Sequence, residues 1–241
     1  MAIAQSTRNH LLAALSPPDY GLLEAHLTKV AFEVRQSFEE ANKPVEYVYF
    51  PEDGIVSIVA KSRHEQAEAG IVGREGMTGI PVVLGNDRWV NDTYAQVPGY
   101  GFRISASDLR GALAESADLR DMFLRFTQSF IAQTTQTALV NARGSVGTRL
   151  ARWLLMAHDR LDGDDLPLTH EFLALMLGVR RAGVTTALQR LESEGLVIAK
   201  RGAISVQDRA GLIRLADRLY GIAEAEYRRL IPGSRFGSDK D

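Results

Sequence analysis

The sequence contains no cysteine. That excludes disulfide staples, thiolate zinc sites, cysteine-ligated iron–sulfur clusters and a cysteine nucleophile, and it favours a reducing, cytoplasmic setting. Long apolar runs are missing too: none approaches the ~20 residues a membrane helix needs. The opening stretch, Met1 to His10, has no basic segment followed by an apolar core and does not read as a signal peptide. A soluble, cytoplasmic protein without a membrane partner is expected. The five histidines, His10, His26, His64, His158 and His170, lie apart from one another, and no His-x-His occurs. A cupin-type metal site is therefore not expected. A haem ligand, were there one, would be His64, but surface or structural roles are expected for all five. No Gly-x-Ser-x-Gly occurs, and Gly144-Ser145-Val146-Gly147 lacks its spacing. With no nucleophile motif and no metal cluster, the chain reads as non-enzymatic.

What is present is ordinary globular composition: 241 residues, 45% hydrophobic and 24% charged, enough for one large domain or two modest ones. The net charge of −2 conceals an asymmetry. Residues 1–142 hold 12 Lys and Arg against 17 Asp and Glu, a balance of −5, and residues 143–241 hold 16 against 13, a balance of +3. Residues 178–206 alone carry Arg180, Arg181, Arg190, Lys200 and Arg201 against Glu192 and Glu194. An acidic half joined to a mildly basic one hints at nucleic acid as a partner of the second.

Texture changes along the chain. After helical stretches over roughly 7–15 and 19–26, residues 28–104 show β-branched and aromatic clusters separated by turn formers. Strands are expected at Val45–Phe50, Gly54–Ala60, Ala69–Val72, Pro81–Leu84, Thr93–Val97 and Tyr100–Ile104, with a hairpin turn at Gly85-Asn86-Asp87. Many short strands of this kind predict an antiparallel β-roll or jelly roll, hence an α+β fold. Tyr47, Tyr49, Phe50, Trp89, Tyr94, Tyr100 and Phe102 are expected mostly to fill it.

From Ser105 the period becomes helical. Ser107 or Asp108 is expected to cap a short helix over Leu109–Leu113, and a long one runs from about Asp118 to Asn141. Leu119, Met122, Phe123, Phe126 and Phe130 recur on it at three- and four-residue intervals. Three phenylalanines on one face exceed what a small domain edge usually hides, so these five, with Thr137, are expected to form a dimer seam. Packing on the chain's own domain is the alternative. Gly144 and Gly147 mark a hinge before a helix over Thr148 to about Leu161. Asp162-Gly163-Asp164-Asp165 lacks the Gly and distal Glu of a calcium loop and reads as a solvated turn.

Residues 168–206 are the most specific. Thr169 can cap a helix over His170–Leu177, and Gly178 stands where a left-handed residue is wanted. A second helix spans about Arg180 to Glu194, with Val184, Leu188 and Leu191 as its inner stripe. The opposite side centres on Ala182, Thr186, Gln189 and Ser193, with Arg181 and Thr185 on one edge and Arg190 on the other. Leu196–Lys200 and Ala203–Val206 form a small hairpin around Arg201-Gly202. Helix, glycine turn, helix and hairpin outline a winged helix-turn-helix. Arg suits guanine, Gln suits adenine, and the methyls of Ala and Thr suit thymine, while Lys200 and Arg201 are placed for phosphates. Candidate DNA-contacting residues are therefore Thr169, His170, Arg180, Arg181, Ala182, Thr185, Thr186, Gln189, Arg190, Lys200 and Arg201. An αα-hairpin in an enzyme, or a signalling module whose winged domain meets protein, are the competing readings.

Leu168-Thr169-His170-Glu171-Phe172-Leu173-Ala174, Leu177-Gly178-Val179-Arg180-Arg181, and then Val184, Leu188, Leu191 and Glu194-Gly195-Leu196-Val197 resemble the helix-turn-helix of the cAMP receptor protein/fumarate–nitrate regulator (Crp/Fnr) superfamily. The β-roll, long helix and hinge are similar in order. The resemblance implies a cyclic-nucleotide-binding-like sensory roll over 1–116, a dimerisation helix over 117–143 and a winged helix-turn-helix over 144–241. It also implies a homodimeric transcription regulator acting on a two-fold operator, with double-stranded DNA and RNA polymerase as partners. Departures qualify it. Arg181 matches the family's first base-reading arginine, but Ala182 replaces a glutamate and Thr186 a second arginine, so a different operator is expected. In the nucleotide-binding stretch, Gly73 to Ile80 then Asn91-Asp92-Thr93, Ile80 takes the place of the family's glutamate and Asn91 that of its phosphate-pairing arginine. A buried phosphate without a charge partner is costly, so cAMP and cGMP are not expected, and an unidentified effector is. Arg74, Glu75, Gly76, Arg88, Asn91 and Thr93 are its candidate pocket residues. No iron–sulfur cluster or other cofactor is implied.

Overall fold

The computed structural model describes residues 7–63 and 65–237; His64, with its haem reading, lies outside the described residues. Two short helices open the chain. Helix α1, His10–Ala13, is capped by Asn9, whose Oδ1 accepts from Leu12 N–H at 3.0 Å. Helix α2, Pro17–Glu24, follows Ser16 and has prolines in its first turn, where no donor is needed. Strands β1 (Thr28–Phe32), β2 (Ser37–Glu39), β3 (Tyr47–Lys61), β4 (Gln66–Val72) and β5 (Asp92–Ser105) then build one antiparallel sheet in the order β1-β5-β3-β4, with β2 also on β5.

Two expectations of separate short strands merge here. The glycines and prolines that read as turns inside β3 and β5 are bulges: register shifts lie between Pro51 and Val56, and Gly54 sits at φ +86°. A Cβ at Gly99 would overlap the Asp53 carbonyl across the ladder, so glycine lets the bent strands approach. The strand expected at Pro81–Leu84 is instead a one-turn helix, α3 (Ile80–Val83). Gly79 starts it at φ +72°, and Pro81 tolerates its first turn. Gly85 closes that turn at φ +80°, so Gly85-Asn86-Asp87 links a helix to β5 and is not a hairpin.

Helix α4, Ala106–Glu115, is capped by Ser105 rather than by Ser107 or Asp108; Ser105 Oγ accepts from Asp108 N–H at 3.0 Å. Helix α5, Ala117–Arg143, carries the phenylalanine stripe, and the structure turns that stripe inward. Leu119, Phe123, Phe126 and Phe130 are buried in the protomer's own core with Val48, Phe50, Ile58 and Met77, and Met122 packs half-buried against it. Thr137 donates to the Gln133 carbonyl and accepts from Arg152. The expected dimer seam is thus intramolecular. Period 3.6 names the residues of one face, but the sheet supplies its cover. Two glycines make room for it: a Cβ at Gly70 would overlap Phe130 and Gln133, and one at Gly76 would overlap Phe126, while Gly73 does the same for Arg160 of the following helix. Gln133 also bonds both the N–H (2.8 Å) and the C=O (3.1 Å) of Ile71 in β4.

After Gly144 and the capping Ser145 comes α6, Val146–Arg160. Strand β6 (Asp165–Leu166), helices α7 (His170–Leu177) and α8 (Arg181–Ser193), strands β7 (Val197–Lys200) and β8 (Ala203–Val206) and helix α9 (Arg209–Ala216) complete the winged unit, with sheet order β6-β8-β7. A final helix, α10 (Ile222–Leu230), leaves it. Tyr227, Ile231 and Phe236 join the core of the roll beside α5, and Tyr227 Oη donates to the Glu75 carbonyl. The C-terminal segment, expected to finish the winged domain, therefore packs on the roll.

The winged unit is docked on the sheet. Ile55, Ile71 and Val97 share a core with Trp153, Leu154, Met176 and Leu177. Inside that contact Glu68 accepts from Trp153 Nε1 at 2.6 Å and Ser57 Oγ at 2.7 Å. Arg160 meets Glu75 at 2.7 Å with both side chains buried. At the rim, Asp162 pairs with Arg8 at 2.5 Å and Arg74 at 2.8 Å, so the acidic turn is partly an ionic clasp.

Two outcomes are expected. Gly76→Ala must displace the buried Phe126, an overpacking that should cost about 1–3 kcal/mol in urea unfolding; an unchanged midpoint would contradict the close ring contact. Burial lifts the Glu68 carboxyl to about 7 against the bonds from Ser57 and Trp153, and it lifts Asp159 to about 6 against the charge of Arg209. Both groups hold a proton in the folded chain that the unfolded chain has released. Stability should therefore be full below the ordinary carboxylate range and fall as pH rises toward 7. Glu68→Gln should shallow the loss of stability between about pH 5 and 7.5, and an unaltered slope would remove Glu68 as its source.

Candidate nucleic-acid interface

Local signals set the geometry of the α7–α8 pair. Thr169 Oγ1 accepts from Phe172 N–H at 3.2 Å and starts α7. Gly178 ends it at φ +58°, with Val179 N–H on the Ala174 carbonyl at 3.0 Å. Arg180 occupies the N-cap of α8 without a side-chain cap bond, leaving the side chain to point elsewhere. Val184, Leu188 and Leu191 are buried with Leu173, Met176 and Leu177, and Leu154 of α6 lies in the same core. The opposite face is open: Arg181, Ala182, Thr186, Gln189, Arg190 and Ser193 are exposed and Thr185 half-buried.

The cations on this surface differ in availability. The side chains of Arg180, Arg181 and Arg201, and that of Gln189, make no hydrogen bond or ion pair among the described residues. Arg190 is held by Glu194 one turn on, Nε to Oε1 at 2.9 Å. Lys200 is held by Asp165 at 2.8 and 3.2 Å, and this pairing keeps the Asp165 carboxyl below its ordinary value. The Lys200 ammonium, about half exposed, has three donors, and Asp165 competes with a phosphate for them. By sequence Asp165 belongs to a solvated turn; its role follows from β6 lying beside β8 in the wing sheet, a pairing no local pattern announces. Gly202, at φ +77°, makes the tight turn that puts Arg201 at the wing tip. His170 is half-buried, with Nδ1 3.2 Å from Thr185 Oγ1, and so joins α7 to α8.

The residues expected to line an effector pocket are not brought together. Glu75 is committed to Arg160 and to Gly73 N–H. Arg74 serves the Arg160 carbonyl and Asp162. Gly76 lies under Phe126. Arg88 is exposed beside Asp87, and Asn91 is half-buried apart from them. Thr93 Oγ1 donates at 2.9 Å to Glu39, which also accepts from Gly79 N–H at 2.6 Å. Glu39, unflagged by sequence reading, is a buried carboxylate whose burial raises its pKa despite bonds from Gly79, Thr93 and Thr78. Between Glu75, Phe126, Phe130, Arg160, Tyr227 and Phe236 lies a cavity of about 20 Å³, room for one water.

Residues 148–226 match the family described as the Crp-like helix-turn-helix domain. No curated protein matches the chain in sequence. Among solved structures, the fold is similar to that of FixK2 from Bradyrhizobium japonicum, with a TM-score of 0.68 at 18% identity, covering 78% of this chain and 96% of that one. It is similar to the c-di-GMP-responsive global regulator CLP of Xanthomonas campestris, with a TM-score of 0.64 at 18% identity, covering 80% and 100%. It is also similar to a Crp/Fnr-family transcriptional regulator from Thermus thermophilus, with a TM-score of 0.63 at 19% identity, covering 79% and 98%.

Proposed function

We propose, from the premise that this chain is a DNA-binding transcription regulator with the Crp/Fnr fold, that it acts as a homodimer on a two-fold operator. The observation that carries the reading is α8 itself. Its apolar stripe is fully used inside, while Arg181 and Gln189 stand outward with no partner among the described residues. A helix so seated enters a major groove with its polar side leading, and Arg201 and Lys200 on the wing then meet phosphates. Two such helices would engage half-sites ~34 Å apart, one DNA turn.

The dimer seam we assign to the face of α5 that the core leaves free. Leu124 and Ile131 are exposed seven residues apart, with Leu139 further along and Thr135 and Ala138 between and beside them; Gln128, also exposed, is bonded to Glu226 of α10. Heptad spacing on an exposed helix face suits a second copy of the same helix. An effector other than cAMP or cGMP would act by favouring one of two arrangements of this helix and the break at Gly144-Ser145, Gly147 lying inside α6. Native mass spectrometry of freshly purified protein reads dimer mass and retained ligand together.

Selection from genomic fragments with purified protein should return a palindromic motif bound in a salt-dependent way; recovery of none would sink the proposal. Arg181→Ala should relax specificity at one base pair per half-site. Lys200→Ala should weaken all sequences alike and lower the salt slope by about 1 per half-site. Equal effects of both changes would refute that division. Ile131→Asp should give monomer mass by light scattering and lose cooperative operator binding, and a persistent dimer would move the seam elsewhere.

A further inference from the structure

Methyl groups lie along the open side of α8, with Ala182 and Thr186 exposed and Thr185 half-buried beside His170. Thr185 donates its hydroxyl to the Arg181 carbonyl at 3.2 Å, and Thr186 donates to the Ala182 carbonyl at 3.1 Å. With each Oγ1 turned onto the helix's own backbone, Cγ2 is the heavy atom left to face away. Ala182 supplies a third methyl, and the spacing 182, 185, 186 puts the three side by side on one face. Gly183 adjoins them. A Cβ there would meet no atom of the chain within 4 Å, and its φ is not in the left-handed region. Neither packing nor backbone conformation in the free protein calls for glycine, which weakens a helix interior. Short side chains at 182, 183 and 186 instead let the helix axis approach a groove floor closely, and a methyl reads only at contact distance.

Resting on the proposal that α8 enters a major groove, we infer that the methyls of Ala182, Thr185 and Thr186 read the C5 methyl of thymine, so that T·A pairs specify the middle of each half-site. Thymine is the base that presents an apolar group in the major groove. The hydroxyl protons of Thr185 and Thr186 are already committed, so they offer no donor to the O6 and N7 acceptors of guanine. Arg181, unpaired at the edge of the same face, is the residue left to take a guanine at the flank.

The test uses full-length protein and the duplex it enriches from a random pool. Each thymine is replaced in turn by deoxyuridine, which deletes the methyl and keeps O4. Affinity should fall about fourfold at two or three thymines per half-site, the equivalent of ~0.8 kcal/mol for one methyl-sized group at each. Thr186→Ser, which removes the methyl and keeps the hydroxyl, should bind thymine and deoxyuridine duplexes equally at one of those positions. Thr186→Val, which keeps the methyl and removes the hydroxyl, should still discriminate. Equal wild-type affinity for the two duplexes overturns the inference while leaving DNA binding intact, as does loss of discrimination in Thr186→Val. Enrichment of no duplex at all overturns the parent reading with it.

Discussion

Arg160 and Glu75 form the ion pair on which the arrangement of the two halves depends. The arginine ends α6, the helix that seats the reading unit, and the glutamate belongs to the glycine-rich loop after β4. Both are buried, and each is further satisfied: Arg160 donates to the Met156 carbonyl, and Glu75 accepts from Gly73 N–H. Such a pair contributes little net stability compared with apolar packing, yet losing one partner strands a charge at a cost of about 3–5 kcal/mol. Its effect is therefore to specify one docking register. Gly73 is part of the same constraint, because a side chain there would occupy the space of the arginine's aliphatic stem.

From that register the rest of the reading surface follows by rigid connection. Trp153 of α6 bonds Glu68 on the sheet, while Leu154 of the same helix shares a core with Val184 and Leu188 of α8. One helix thus contacts the N-terminal sheet on one side and α8 on the other. The direction of α8 relative to the free face of α5 is set by side-chain packing across α6, and the separation of two recognition helices in a dimer would be set by the same contacts.

How much of this the sequence discloses depends on the range of each signal. The Thr169 cap, the left-handed Gly178 and the Val184–Leu188–Leu191 stripe are determined within a few residues, and the α7–α8 pair stands where those signals put it. The phenylalanine stripe of α5 is equally visible as a face, but periodicity does not say whether a face meets one's own sheet or a second chain. The answer lies in Gly70 and Gly76, more than 40 residues earlier, which make room for the rings of Phe130 and Phe126. The bulges inside β3 and β5 look like turns because glycine and proline mark both. Glu39 carries no motif, since its partners Gly79 and Thr93 come from other elements. Lys200 reads as free for the same reason: Asp165 reaches it only through strand pairing.

The return of α10 to the core of the roll tethers the winged unit a second time. A domain hung from a single linker can swing through a wide cone. Here the chain enters the winged unit from α5 and leaves it into Tyr227, Ile231 and Phe236, which are anchored beside that same helix. The unit is thus tethered at both chain ends, in addition to its packed contact with the sheet through Ile55, Ile71 and Val97. A tether at each end shrinks the volume the unit could explore if that packed contact opened, so re-forming it costs less chain entropy than it would on a single linker.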